Sequence, residues 1–237
     1  MNVFLILLSI FGNIWVYKIS QESLVYFVIC ATAAVAFIFY LSKNSKLSSY
    51  LALASFTVLI VLGLFGFELR DFTITNDEIR VRDERLSIYP TNLLQIGYYL
   101  DAKPEVLVAR KVLNGVVKQL DPNIYFFAGH PRERIGVDEF EKIPYILLPV
   151  FLLGLYQAIK NKKVILVLFV IPLLINSLNT NSSVNSSLFP FFVSTIYLGL
   201  VQSIKVLKKY KFKIYIYALF IFFYLLTMLQ IISYEIY

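Results

Sequence analysis

Cysteine, histidine and charged residues are all scarce in this chain of 237 residues. The single cysteine, Cys30, lies in an apolar run, which excludes a disulfide or a cysteine-based zinc site within one chain. Charged residues make up 16% of the chain and hydrophobic residues 59%, against roughly 25% and 45–50% in soluble domains. A small domain cannot hide such an apolar excess in one aqueous core. Composition therefore predicts an integral membrane protein in contact with lipid.

The sequence motifs of common soluble enzymes are absent as well. The chain contains no Walker loop, GxGxxG, HExxH or GxSxG motif and no zinc-ligand spacing. The apolar runs hold almost no charge, which argues against an ion or proton pathway. The net charge of +7 lies in short lysine clusters between apolar runs. It therefore indicates membrane topology and not nucleic-acid binding.

Seven apolar stretches follow one another along the chain, and each is a predicted membrane-spanning helix. They cover residues 3–17, 24–41, 50–67, 143–159, 164–178, 188–204 and 214–233. The first has neither a positively charged leader nor a cleavage site, so we interpret it as a retained span. The fifth contains Pro172, which leaves a backbone carbonyl without its helical hydrogen bond. Neighbouring helices must then satisfy that group. The predicted fold is an all-α polytopic membrane protein of about seven transmembrane helices.

Lysine clusters fall on one side of these predicted spans. They comprise Lys43 and Lys46, then Lys160, Lys162 and Lys163, and finally Lys205, Lys208, Lys209, Lys211 and Lys213. The positive-inside rule places that side in the cytoplasm, so the N-terminus is predicted to be cytoplasmic and the C-terminus extracytoplasmic. Three regions result: residues 1–67 with three helices, an extracytoplasmic segment over 68–142, and residues 143–237 with four helices.

The extracytoplasmic segment differs in composition from the rest, because it holds every arginine and most of the acidic residues. Polar and apolar residues alternate over 72–75 and 79–82, which predicts a short strand or hairpin and hence a mixed α/β segment. Over 92–120 the apolar residues recur at helical spacing. This pattern predicts amphipathic helices at the membrane surface or packed beneath the segment.

The densest polar cluster precedes the fourth predicted span and contains His130, Arg132 and Arg134. Two arginines separated by one residue offer planar, bidentate donors that suit a phosphate or a carboxylate. We therefore interpret these three residues as candidates for binding a lipid-linked phosphate. The alternative is interfacial anchoring with local ion pairing to Glu133 and Asp138.

A second cluster of alternating charge covers residues 77–85 and contains the acids Asp77, Glu78 and Asp83. Adjacent carboxylates suit a divalent cation or a general base, which makes these three acids the candidate catalytic residues. The alternative is a solvated surface whose charges pair with one another. No set of metal ligands is predicted beyond this possible divalent cation.

The segment from Leu120 to Leu155 supports a family resemblance. It contains the turn Phe126-Phe127-Ala128-Gly129-His130, then Pro144 at the start of an apolar span that ends in Gly154-Leu155. This arrangement resembles the last outer loop and following span of dolichyl-phosphate-mannose protein mannosyltransferases, which are membrane glycosyltransferases of the GT-C fold. The resemblance extends over residues 75–207 and implies a polyprenyl- or dolichyl-phosphate sugar as donor.

Two departures from that family affect what the resemblance implies. The family's aspartate in the turn is His130 here, and the family's catalytic acid lies in a first outer loop that here holds only Glu22. The chain thus resembles the C-terminal half of such an enzyme. A membrane protein partner would supply the catalytic half, or the chain is a non-catalytic relative. The alternative function is a non-enzymatic membrane scaffold whose extracytoplasmic segment binds another protein.

Overall fold

The computed structural model describes residues 3–43, 45–65, 73–127, 141–161, 164–179 and 186–236. Of the residues in these ranges, 88% are helical and none lies in a strand. The α-helices within these ranges are α1 (Val3–Phe11), α2 (Ile14–Glu22), α3 (Leu24–Lys43), α4 (Lys46–Phe65), α5 (Asn76–Ser87), α6 (Leu94–Gly97), α7 (Pro104–Leu120), α8 (Asn123–Phe126), α9 (Leu148–Asn161), α10 (Val164–Leu178), α11 (Phe189–Leu207) and α12 (Lys213–Ile236).

Three helices are long and apolar enough to cross a membrane, judged by length and composition. They are Leu24–Lys43, Ser186–Leu207 and Lys213–Ser233, which correspond to α3, α11 and α12. The pair α1 and α2 passes the same test together but is bent by 64°, so it adds a fourth if it is one broken span. The other apolar helices in the described ranges are shorter: Lys46–Leu62, Tyr145–Lys160 and Phe169–Leu178. The structure is compatible with a membrane protein, but three or four helices meet these criteria where seven spans were predicted.

The mixed α/β prediction for the extracytoplasmic segment is wrong in the part that the structure describes. Residues 79–82, predicted as a strand, lie inside α5. The reason is a capping box: the Thr75 hydroxyl accepts a hydrogen bond from the Glu78 amide, and the Glu78 carboxylate accepts one from the Thr75 amide. This arrangement satisfies free amides at the helix start. Alternation of polar and apolar residues indicates a strand when one face of that strand is buried. Helix α5 buries no residue, so the alternation over 79–82 had no such cause.

The helical core is centred on α11, which packs against α9 and α3. The backbones of α9 and α11 meet at Gly154 and Gly199: a Cβ at Gly154 would overlap the Thr195 carbonyl, and one at Gly199 would overlap the Val150 carbonyl. Close contact through small residues is a common way for helices to associate in lipid. The contacts at Gly154 and Gly199 therefore fix the distance between α9 and α11.

An aromatic cluster forms part of this core. Trp15 is 2% exposed and lies edge-on to Phe189, with ring centroids 5.6 Å apart. Tyr125 and Phe192 approach to 4.3 Å between centroids, and Phe192 stacks on Phe151 at 4.9 Å. Aromatic pairs at such distances contribute about 0.5–1.5 kcal/mol beyond the area they bury. The cluster joins α8, from the predicted extracytoplasmic segment, to the apolar helices α9 and α11.

Candidate functional site

A cleft lined mainly by charged and polar side chains lies between α5 and α7. Its volume is about 260 Å³. It is lined by Asp77, Glu78, Val81, Arg82 and Arg85 from α5 and by Leu107, Arg110, Lys111 and Asn114 from α7. Four of these side chains are cationic and two are carboxylates, so the cleft carries an excess of positive charge.

Lys111 joins the two helices that form the cleft. Its Nζ lies 2.8 Å from Oε2 of Glu78 and donates a 2.7 Å hydrogen bond to the carbonyl oxygen of Thr73. The same carboxylate accepts the Thr75 amide in the capping box. The hydrogen bond from Lys111 and the one from Thr75 lower the pKa of Glu78 below its ordinary value. Glu78 is therefore an anion occupied in positioning Lys111, and the lowered pKa makes it a weak general base.

The other predicted acids behave differently from Glu78. Asp77 lines the cleft, whereas Asp83 does not and instead lies 2.8 Å from the guanidinium of Arg82. The described residues contain no group of three or more His, Cys, Asp or Glu that could hold a metal ion. With four cations around Asp77 and Glu78, the local field favours an anion over a divalent cation. The structure brings together two of the three candidate catalytic acids, but in a basic environment.

The predicted lipid-phosphate residues His130, Arg132 and Arg134 lie outside the described residues. The arginines that the structure does place in a cleft are Arg82, Arg85 and Arg110. Sequence reasoning treated Arg82 and Arg85 as parts of a self-paired surface and did not single out Arg110. Guanidinium groups are planar donors that match the geometry of phosphate oxygens, and Lys111 adds a point charge. The arrangement is suited to bind a phosphate or carboxylate group.

Two buried charges next to the aromatic cluster were also missed from the sequence. Glu141 is 8% exposed and accepts a 3.1 Å hydrogen bond from the amide of Tyr145. Burial raises the pKa of the Glu141 carboxyl to about 7, against a smaller lowering effect of that hydrogen bond. Glu141 and its neighbour in the sequence come directly before a predicted span. A polar cluster at that position suggests residues exposed to water at the end of the span, so the sequence did not indicate burial.

Lys142, the other buried charge, is 6% exposed and connects three elements. Its Nζ donates to the carbonyl oxygen of Ile124 at 3.1 Å and lies 5.6 Å from the centre of the Tyr125 ring. Its carbonyl oxygen accepts the amide of Trp15 at 3.1 Å. These contacts attach residues 141–145 to α8 and to the start of α2, so their role is structural.

A second, larger cavity of about 800 Å³ lies beside the break between α1 and α2. At the break, the side chain of Asn13 accepts the amide of Val16 and donates to the carbonyl oxygens of Ser9 and Ile10. The cavity lining is mostly apolar and includes Phe27 of α3 and Met228 of α12, with Lys18 as its one charged residue. A lining of this kind suits an amphipathic molecule such as a lipid.

Comparisons with protein-family models, curated proteins and solved structures found no match to this chain.

Proposed function

We propose that this chain is an integral membrane protein whose extracytoplasmic cleft between α5 and α7 binds the phosphate of a polyprenyl- or dolichyl-phosphate sugar. The observation that carries the proposal is the convergence of Arg82, Arg85, Arg110 and Lys111 on one cleft of about 260 Å³. A phosphate group bound there accepts charge-assisted hydrogen bonds from several donors at once.

A membrane location is supported by the apolar helices. In α12, Phe222 is 57% exposed and Leu229 is 64% exposed, and only 11% of the membrane-length window is buried. Such a surface is costly in water and ordinary in lipid. We propose about seven spans, with the N-terminus cytoplasmic and the C-terminus extracytoplasmic. The shorter apolar helices coincide with the remaining predicted spans, and of these Lys46–Leu62 reaches the roughly 17 residues that are the lower limit for crossing a bilayer.

The relation to GT-C glycosyltransferases is part of the same proposal. In such a reaction a carboxylate activates the acceptor hydroxyl while cations stabilise the phosphate that leaves. The cleft suits the second role. It does not suit the first, because Glu78 has a lowered pKa and is paired with Lys111. We therefore propose that a membrane protein partner supplies the catalytic carboxylate.

The test is binding of a short-chain polyprenyl-phosphate sugar to the purified protein in detergent. The variant Arg85→Ala/Arg110→Ala removes two cleft cations, and we expect affinity to fall on the order of tenfold or more for each arginine. The matched control is Arg80→Ala, because Arg80 lies on the same helix but pairs with Glu84 at 3.7 Å and does not line the cleft. The control should bind like the wild type.

Three results would separate the alternatives. Saturable binding that survives Arg85→Ala/Arg110→Ala would contradict the cleft as the phosphate site. If binding were instead lost in Arg132→Ala/Arg134→Ala alone, the phosphate site would be the one predicted before the fourth span. No binding at micromolar concentrations would favour the non-enzymatic scaffold whose extracytoplasmic segment binds another protein.

A further inference from the structure

Helix α7 presents three different faces. The first lines the cleft through Leu107, Arg110, Lys111 and Asn114. The second is turned inward, because Gly115 is buried, Val116 packs against the core and the helix contacts α10. The third is apolar and exposed: Leu113 is 60% exposed, Val117 57% and Leu120 51%. We call these three residues the apolar stripe of α7.

The spacing of the apolar stripe follows from helix geometry. Positions 113, 117 and 120 are separated by four and three residues, so their side chains lie above one another on one face. Arg110, Lys111 and Asn114 line the cleft that α7 shares with α5, and Arg110 borders the stripe because it lies three positions before Leu113. A helix that is polar on one side and apolar on an uncovered side is amphipathic, and its apolar side requires a partner.

The residues just before α7 are also apolar and exposed. Ile96 is 53% exposed, Tyr99 57% and Leu100 61%. The Nζ of Lys103 lies 5.9 Å from the centre of the Tyr99 ring. Tyrosines with neighbouring lysines are typical of the membrane–water interface, where the ring contacts the lipid boundary and the ammonium reaches water.

The contact of α7 with α10 indicates which partner the stripe has. The segment Phe169–Leu178 of α10 is apolar, and its Ile171 and Leu174 are themselves 38% and 46% exposed. A helix that contacts an apolar membrane-type helix lies next to the lipid that surrounds that helix. Lys118, exposed on α7, and Lys103 before it supply the positive charge that anionic lipid headgroups attract.

We propose that the apolar stripe of α7 inserts into the outer leaflet of the membrane, so that α7 lies in the interface plane. An interfacial helix of this kind enters the headgroup and acyl boundary by roughly 5–10 Å. The inference rests on the membrane location proposed above and does not depend on phosphate binding in the cleft. It places the cleft, on a neighbouring face of the same helix, close to the level of the lipid headgroups.

The experiment uses site-directed spin labels on the full chain in phosphatidylcholine–phosphatidylglycerol vesicles. Cys30 is the single cysteine and is fully buried, so Cys30→Ala provides the background. Single cysteines are introduced as Leu113→Cys and Val117→Cys in the stripe. Asn114→Cys is the matched control on the cleft face, and Phe222→Cys in α12 reports membrane insertion. Each label is then exposed to oxygen, which concentrates in lipid, and to a water-soluble nickel chelate.

We expect the ratio of oxygen to nickel collision rates to be several-fold higher at 113 and 117 than at 114, and to approach the ratio at 222. Equal ratios at 113, 117 and 114 would overturn the inference, since the stripe would then face water. Shielding of 113 and 117 from both reagents would also overturn it, because another protein or a second copy would cover the stripe. A water-like ratio at 222 would overturn the membrane location itself, and phosphate binding by the cleft would remain separately measurable in detergent.

Discussion

The hydroxyl of Tyr224, in the last helix, donates a 2.7 Å hydrogen bond to the carbonyl oxygen of Gly12, at the break in the first helix pair. The two residues are 212 positions apart in the chain. Gly12 permits the approach because a Cβ there would lie 2.5 Å from the Tyr224 hydroxyl. The bond therefore joins α12 to a bend whose backbone groups would otherwise face apolar surroundings.

Removing this bond should loosen α12. We expect Tyr224→Phe to lower stability by about 1 kcal/mol, the net contribution of one hydrogen bond. Gly12→Ala should cost more, since the added methyl group displaces the hydroxyl as well. The measurement is the thermal unfolding midpoint in detergent. Tyr215→Phe is the control, because Tyr215 lies on the same helix and is 74% exposed; an equal loss in that variant would contradict the assigned role of Tyr224.

The contact between α9 and α11 should not tolerate a side chain at either glycine. Gly154→Ala and Gly199→Ala each place a methyl group against a backbone carbonyl of the opposite helix. We expect each variant to lose about 1–3 kcal/mol, the usual cost of overpacking, and the larger Gly199→Leu to prevent folding. Thermal unfolding again measures the effect. Leu152→Ala, at an exposed position of α9, should change stability little, and unaltered unfolding of both glycine variants would show that the helices do not pack this closely.

The Glu78–Lys111 pair should contribute stability that depends on pH. Because the folded-state pKa of Glu78 is lowered, its contribution is present above the ordinary pKa of about 4.3 and is lost as the pH falls through the folded-state value. We expect Glu78→Gln and Lys111→Met to be non-additive at pH 7 and additive in acid. A double-mutant cycle on thermal unfolding measures the coupling. The Arg80–Glu84 pair, with side chains 72% and 68% exposed, should show weaker coupling and serves as the comparison.

Glu141 should produce the opposite dependence on pH. Its folded-state pKa of about 7 lies above the ordinary value, so the folded state holds a proton that the unfolded state has released. Stability should therefore fall as the pH rises from about 4.3 to about 7, and then level off. Glu141→Gln, which still accepts the Tyr145 amide, should remove this fall in an unfolding series across pH. Glu105→Gln, at an exposed carboxylate, should leave the fall in place; a wild-type profile in Glu141→Gln would contradict the assignment.

The positions of the apolar helices could be predicted from the sequence. Each of the seven apolar stretches corresponds to an apolar helix or helix pair in the described residues. The bend in the first stretch was not predicted, although Gly12 and Asn13 interrupt its apolar pattern. A glycine and an asparagine are tolerated inside many spans, and only the side-chain contacts of Asn13 at both helix ends decide that the helix breaks here.

The candidate site was predicted in part. The sequence indicated Asp77 and Glu78 as candidate site residues because they are adjacent acids in a run of charged residues. It did not predict their surroundings, because Arg110 and Lys111 lie about thirty positions further along the chain and line the same cleft only because the fold places α7 beside α5. The strand prediction over 79–82 failed for a local reason, since the capping box formed by Thr75 and Glu78 starts a helix that continues through these residues.

The sequence by itself determined the helical class, the location of the apolar helices and the concentration of arginine in one segment. Those features depend on composition and on residues a few positions apart, which act within a single helix. Only the tertiary structure decided that Glu141 and Lys142 are buried, that Gly154 meets Gly199, and that four cations share one cleft. These depend on which helices pack together, because burial and electrostatic fields arise from neighbours that are distant in the chain.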